Sequence, residues 1–459
     1  MRSTCGDRCH RGRYERNRTR PSDNCRGEKL RRPSKDRTVF PAIEKMFDQR
    51  RLSDDEVRHS IAAFMEGTVS DLTIATWLGA FAARGVDFDE VKSLTDAYIA
   101  SGRQVEPASR ESGEPVVVDK HSSGGVGDKV SLTALPIIAA MGIPVLKLSG
   151  GALGLAGGTA DKLSSIPGFR VQLAHSELEE ILARTNLVIG SQTNDLCPGD
   201  SATYRIRDLC GAVKSVALIA ASIVSKKVAA GSTRVVYHIK WGEAGLVPDE
   251  ASARGLGELI YALSRAYKIN SKIVYSEIDS PAGYCVGNLL EVLEARRFLG
   301  GHSRHPKLLE EVYSVCRALL EVAALDPANA DRRISTVIEN GDALATFERW
   351  LSGQGADSGF VNDPELYFSS LKPQHLAVRA NKSGVVARID PLGMAEIAAA
   401  LGFAKNAIDD CVDPLAGIEL KIELESKVSA GDVIATLWSS NPIGAHMELQ
   451  ACNSIEVVS

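Results

Sequence analysis

The segment Asp119-Lys120-His121-Ser122-Ser123-Gly124-Gly125-Val126-Gly127-Asp128 carries the residue types of an anion site. Its glycines let backbone N–H groups converge on a charged oxygen, and a helix starting behind it adds its positive end. Lys120 supplies a full charge, and Ser122, Ser123 and Ser131 supply hydroxyl donors. No Gly-Lys-Ser/Thr closes the loop, so it is not a nucleoside-triphosphate P-loop. A glycine loop alone serves equally well as a tight connecting turn. A second loop raises the case for phosphate: Lys147 and Ser149 stand at a strand end, and Thr159 precedes a helix. Two adjacent strand ends then face one anion.

A third constellation lies on the helical stretch 204–227. Arg207, Ser222, Lys226 and Lys227 stand out in a run otherwise rich in Ala, Ile and Val. Ser222 and Lys226 are four apart and share a helical face. Arg207 precedes Ser222 by fifteen residues, about four turns in an unbroken helix. A solvated basic edge explains these cations as well as a binding role does. His121, beside the anion loop, can donate to a substrate carbonyl, although a lone histidine is more often structural. His238, His302, His305 and His375 show no metal spacing. With no Cys-x-x-Cys, His-Glu-x-x-His or paired-carboxylate signature, metal hydrolysis and glycosidase chemistry are poorly supported.

The elements that position these residues read as α/β. From Pro41 to about Gly102 the pattern is helical, with Ser53 before Asp54, Asp55 and Glu56 as an N-cap and Ser70 with Asp71 as the next start. Ile74, Trp77, Leu78 and Phe81 form one buried helix face. Val116–Val118 and Pro144–Leu148 read as short strands, each followed by a glycine loop and a helix, as in a parallel α/β domain. Residues 205–230 return to helix, Val235–Ile239 to strand, and 250–268, 286–299, 307–323 and 340–351 to helix. Asp357–Pro373 reads as a polar linker. Beyond it, Ala377–Asp390 and Gly417–Trp438 alternate as strands, and Val428–Ala435 resembles the turn of a lipoyl-like barrel-sandwich. The absence of a Met-Lys-Met turn makes that a structural module.

The 459 residues suggest two or three domains. Hydrophobic residues at 44% and charged residues at 24% are ordinary globular values. No apolar run is long enough for a transmembrane helix. The net charge of −5 conceals a basic tail: residues 1–40 sum to +8, leaving −13 for the rest. The tail is expected to be disordered and to be neither signal peptide nor nucleic-acid arm. Cys5, Cys9 and His10 lack the second ligand pair of a metal knuckle. Nine cysteines without repeating spacing fit reduced thiols in a cytoplasmic protein.

The motifs together resemble the thymidine/pyrimidine-nucleoside phosphorylase family. The resemblance rests on Asp119 to Leu132, on Gly157-Gly158-Thr159-Ala160-Asp161-Lys162-Leu163 with Ile166-Pro167-Gly168-Phe169, and on Gly190 to Leu196. Tyr204 to Asp208, Ser222 to Lys227, Gly287-Asn288 with Glu291-Val292, and Gly393-Met394 extend it over about 45–440. It implies a helical lobe from 41–105 and 200–232, and a phosphate-binding α/β lobe from 106–199 and 233–360. The remainder, 361–459, becomes a C-terminal α+β, barrel-sandwich-like domain. It also implies a homodimer joined through the helical lobes.

By that resemblance Lys120, Ser122, Ser131, Lys147, Ser149 and Thr159 hold phosphate. His121, Tyr204, Arg207, Ser222 and Lys226 bind the pyrimidine, with His121, Arg207 and Lys226 catalytic. The substrates implied are a pyrimidine nucleoside and inorganic phosphate, with no organic cofactor. Part of the family binds a monovalent cation near Gly127, mostly through backbone. Departures cluster in the second loop, where Gly151, Ala152, Leu155 and Ala156 replace the family's Arg, Gly, His and Thr, and Ser164 replaces a Glu. Tyr237-His238-Ile239 replaces a Met-Asp-Val type run, and the glycine-rich stretch usual near 401–406 is missing. Such drift around retained binding residues suggests a changed substrate, such as a modified uridine or thymidine. The rival readings are an anthranilate-type phosphoribosyltransferase and a non-catalytic nucleoside- or phosphate-binding homologue.

Overall fold

The first expected helix start is present in full: the Ser53 hydroxyl accepts from Glu56 N (3.3 Å), and the Glu56 carboxylate accepts from Ser53 N (2.8 Å). The computed structural model describes residues 39–105, 116–150, 157–191, 195–326, 328–403 and 412–458. The basic tail up to residue 38, including Cys5, Cys9 and His10, and the substituted positions Gly151, Ala152, Leu155 and Ala156 lie outside the described residues, as do 404–406.

Helices Phe40–Phe47, Asp54–Met65, Asp71–Arg84 and Phe88–Ala100 open the helical lobe. Ile74, Trp77, Leu78 and Phe81 are fully buried, as their spacing requires, and Trp77 stacks on Phe81 with centroids 4.8 Å apart. The chain returns to this core with Pro198–Leu209 and Val216–Ala229. The helical stretch expected over 205–230 is therefore broken into two helices. Gly211 (φ 73°) turns the chain between them, a left-handed conformation that costs glycine little.

Five parallel strands build the α/β lobe: β1 (Asp119–Ser122), β2 (Val145–Ser149), β3 (Leu187–Ser191), β4 (Arg234–Trp241) and β5 (Asn270–Glu277). β1, β4 and β5 form one parallel ladder, β2 and β3 another, and a Val118–Val145 bridge joins them in the order β3-β2-β1-β4-β5. The chain runs outward from β1 on one side and then resumes with β4 on the other. Ligands of such sheets bind at the carboxyl ends of the strands beside that reversal, where β1 and β2 deliver the two glycine loops. Helices Val130–Ala140, Asn288–Leu299, Pro306–Val322 and Asp342–Gly353 share one apolar core with the sheet.

The expected linker Asp357–Pro373 is instead two short helices, Ser358–Asn362 and Pro364–Ser370. Their Phe360, Val361 and Phe368 are buried in the α/β core, which a polar linker would not be. Beyond them, two antiparallel sheets and helices Pro391–Leu401 and His446–Asn453 form the C-terminal domain around a third core. The short strand Cys285–Val286 pairs with Gly417–Leu420, so that domain's sheet is stitched to the α/β lobe.

The helical lobe is fastened to β1 by a buried ion pair, Lys227 to Asp119 at 2.8 Å. Lys227 also donates to Leu148 O (3.2 Å), and Ser232 donates to Asp119 (2.9 Å). Removing one partner strands the other charge in a dry environment. Lys227→Met is expected to destabilise the protein by about 3–5 kcal/mol, measured by urea denaturation at neutral pH. Adding Asp119→Asn should recover part of that loss. A cost for Lys227→Met below about 1 kcal/mol, the value of an exposed pair, would contradict this role.

Candidate active site

Lys120 on β1 and Lys147 on β2 are both buried, at 0% and 2% exposure. Lys120 Nζ donates to Ser131 Oγ (3.1 Å), and Lys147 Nζ donates to Lys120 O (2.7 Å). Among the described residues neither forms a salt bridge. Burial pushes the Lys120 ammonium down to about 8, against the opposing pull of Asp128. Burial and the neighbouring Lys227 push Lys147 down to about 7. Two buried amines with no salt bridge among the described residues are the kind of charge an anion can complete.

The other buried lysines here have their charge already matched. Lys162 lies 2.6 Å from Glu291 and donates to Asp128 O (2.6 Å). Lys240 lies 2.7 Å from Glu311 and 3.3 Å from Asp128. Asp128 in turn accepts from Ser122 Oγ and from Val130 N (3.2 Å). Although burial favours its neutral form, Lys240 and Lys120 hold the Asp128 carboxyl well below the usual range. These contacts fix the glycine loop before any ligand arrives. Gly127 (φ 72°) is required there, because a Cβ would sit 3.3 Å from both Ala282 N and Cys285 O. Asp128, His238 and Glu311 have the ligand types of a metal site. The Lys240 ammonium, held by both carboxylates, already supplies a cation there.

Several of the residues expected to bind the base gather around a group the sequence did not single out. Asp200, fully buried, accepts from Ser222 Oγ (3.0 Å) and pairs with Lys226 Nζ (2.8 Å). Lys226 Nζ and the Arg207 guanidinium both lie against the Tyr204 ring, 5.5 Å and 5.3 Å from its centroid. Arg207 bridges the helix break by donating to Val213 O and Leu218 O, each at 3.2 Å. Asp200 stands at the third position of the helix Pro198–Leu209. An acidic residue there is an ordinary first-turn feature, so only its distant partners reveal its role.

Three family models match the chain. The glycosyl transferase family a/b domain covers residues 114–344, its helical bundle domain covers 40–102, and the pyrimidine nucleoside phosphorylase C-terminal domain covers 385–456. A pyrimidine-nucleoside phosphorylase of Bacillus subtilis is 33% identical over 408 residues, 87% of this chain and 91% of the relative. The chain belongs to the pyrimidine-nucleoside/thymidine phosphorylase family of pentosyltransferases. A thymidine phosphorylase of Homo sapiens is 33% identical over 410 residues, 87% of this chain and 84% of that protein. The fold also matches that of anthranilate phosphoribosyltransferase from Thermus thermophilus, with a TM-score of 0.52 and 18% identity. That match covers 68% of this chain and 99% of the other.

Within this phosphorylase-family chain, the expected anion-site residues divide into three kinds. Lys120, Ser131 and Lys147 are drawn together. Ser122 and Ser149 are at the ends of β1 and β2, with Ser122 committed to Asp128 and Ser149 Oγ only 3.4 Å from Gly150 O. Thr159 opens the helix Thr159–Ser164. Gly157, just before it, is confined by the C-terminal domain: a Cβ would meet the Phe403 ring at 2.5 Å.

His121, on β1, feels the charges of both clusters. Burial, then the ammoniums of Lys227, Lys147, Lys226 and Lys120, hold its imidazole well below its usual value. It is therefore a neutral donor and not a charged one at physiological pH.

Lysines with lowered values are charged below them and lose that charge as pH rises. kcat/KM for phosphate should therefore decline as Lys147 and then Lys120 deprotonate, from about 7 to about 8 upward. A bound dianion raises both, so kcat at saturating phosphate should hold to higher pH. Steady-state kinetics from acid through strongly alkaline pH checks this; a kcat/KM that keeps rising above about pH 9 would contradict the assignment.

Proposed function

We propose that this chain catalyses phosphate-dependent cleavage of a pyrimidine nucleoside to free base and α-D-ribose or deoxyribose 1-phosphate. The observation that carries this reading is the pair of buried lysines Lys120 and Lys147, with no salt bridge among the described residues, at the sheet end that Lys227 reaches while its neighbour Lys226 holds Asp200. A phosphate oxygen attacks the anomeric carbon from the face opposite the base, so the sugar carbon inverts. The glycosidic bond breaks toward the base, whose ring carbonyls gain negative charge and whose nitrogen then takes a proton from solvent. Lys226 and Arg207 are the cations suited to that developing charge, and Ser222 to the ring imide. His121, neutral and within reach of the charges of both clusters, donates to a ring carbonyl. Phosphate is already a nucleophile, so positioning provides most of the rate, and the chemistry needs no organic cofactor. The names of the relatives at 33% identity support the substrate class.

The finer reading is a modified uridine or thymidine, motivated by the substituted second loop, Gly151, Ala152, Leu155 and Ala156. A homodimer through the helical lobe is supported by Phe47, Leu72 and Leu209, large apolar side chains exposed on that lobe. Five free thiols among the described residues fit a cytoplasmic location, and no described helix is long and apolar enough to cross a membrane.

Chromatography of a nucleoside panel with and without phosphate tests the reaction. Free base should appear only with phosphate, and a 5′-modified uridine should exceed thymidine and uridine in kcat/KM. A clear preference for plain thymidine or uridine would sink the modified-substrate reading. Lys120→Ala and Arg207→Ala should each lower the rate at least about 100-fold, the value of one transition-state donor. Wild-type rates in both would refute the site.

A further inference from the structure

Part of the family that this chain resembles binds a monovalent cation beside Gly127, and the residues present here do not fit one. The ammonium of Lys129 stands there. Its Nζ is fully buried, 2.6 Å from Ala282 O and 3.0 Å from the Glu294 carboxylate. A Cβ on Gly127 would lie 3.6 Å from it and one on Gly283 only 2.5 Å, so two glycines leave the room it fills. The rest of the shell is fixed: Glu294 accepts from Tyr284 N (2.7 Å) and Cys285 N (2.8 Å). A free ion would need the same carbonyl and the same carboxylate, and would meet a positive charge already on them.

We propose that Lys129 is a built-in monovalent cation, a positioning residue that makes the anion loop independent of free potassium or sodium. Three further observations fit this role. Lys129 is the residue before the helix Val130–Ala140. A cation there opposes the positive end of the helix, and its side chain instead runs away to Glu294. Burial disfavours the charged form, but Glu294 and Glu291 more than offset it, so the ammonium's pKa stands above the ordinary lysine value. The segment it grips, 282–286, continues directly into the strand paired with the C-terminal sheet. Lys129 thereby ties the phosphate loop to that domain through one charge.

The proposal rests on the phosphate reading only for its kinetic arm; its thermal arm needs no turnover. Protein exchanged into tetramethylammonium chloride is titrated with potassium, sodium or ammonium at constant ionic strength. Melting temperature and the KM for phosphate are followed. Wild-type protein should show no saturable response in either, with KM changing less than about twofold. Lys129→Ala vacates the site. Its phosphate KM in tetramethylammonium should rise about tenfold, as for loss of one charge-assisted hydrogen bond. Potassium or ammonium should restore it severalfold and raise the melting temperature, and tetramethylammonium should do neither. A saturable potassium requirement in the wild type, or a folded Lys129→Ala indifferent to these ions, would overturn the proposal. Should the variant not fold, the wild-type titration decides alone. An inactive but cation-indifferent wild type would spare this proposal and defeat the phosphorolysis reading instead.

Discussion

Positive charge buried without a carboxylate is the constraint on which the rest of this structure depends. An unpaired ion in a dry interior costs several kcal/mol, so a buried amine either gives up its proton or keeps it where an anion completes it. Lys120 and Lys147 are such amines, with no salt bridge among the described residues and lowered values, and both sit where parallel strands end beside glycine loops. Their surroundings show that the chain pairs lysines whenever it can: Lys129, Lys162, Lys227 and Lys240 each meet a buried carboxylate. Those four pairs are scaffold. They hold the loop backbone and the lobe junction rigid, so that two charges remain for the anion.

Geometry of one helix joins the two halves of the site. In Val216–Ala229, neighbouring residues point about 100° apart, and the chain uses both directions. Lys227 turns to Asp119 and Leu148 O at the sheet end. Lys226 turns to Asp200 and the Tyr204 ring. The proposed phosphate and base sides are thus reached from adjacent residues of one helix. His121, on β1, feels both lysines and stays neutral.

Much of this was legible before the fold. Lys120, Ser131 and Lys147 stood out because glycine loops and strand ends are local signals, read within a short stretch of chain. Ile74, Trp77, Leu78 and Phe81 were legible because a buried helix face repeats along the chain. Asp200 was not, since its hydroxyl partner Ser222 is 22 residues away on another helix. The role of Lys129 was hidden more deeply, because the carbonyl it holds is 153 residues distant. The break between Arg207 and Ser222 was left open by the sequence. Apolar spacing continues across it, and only the glycine turn and the Arg207 side chain reveal two helices. Asp357–Pro373 misled in the other direction, its polar residues masking Phe360 and Phe368, which reach the core.

The central claim is that phosphate completes two buried, electrostatically exposed lysines. Calorimetry of phosphate binding at about pH 8, repeated in buffers of different ionisation enthalpy, tests it most directly. Lys147 and Lys120, with values of about 7 and about 8 when no anion is bound, are then largely or partly deprotonated. Binding the dianion should draw protons onto them, so the observed heat should vary with the buffer and report net proton uptake of about one. Heats identical in every buffer, or no phosphate binding at all, would contradict the account.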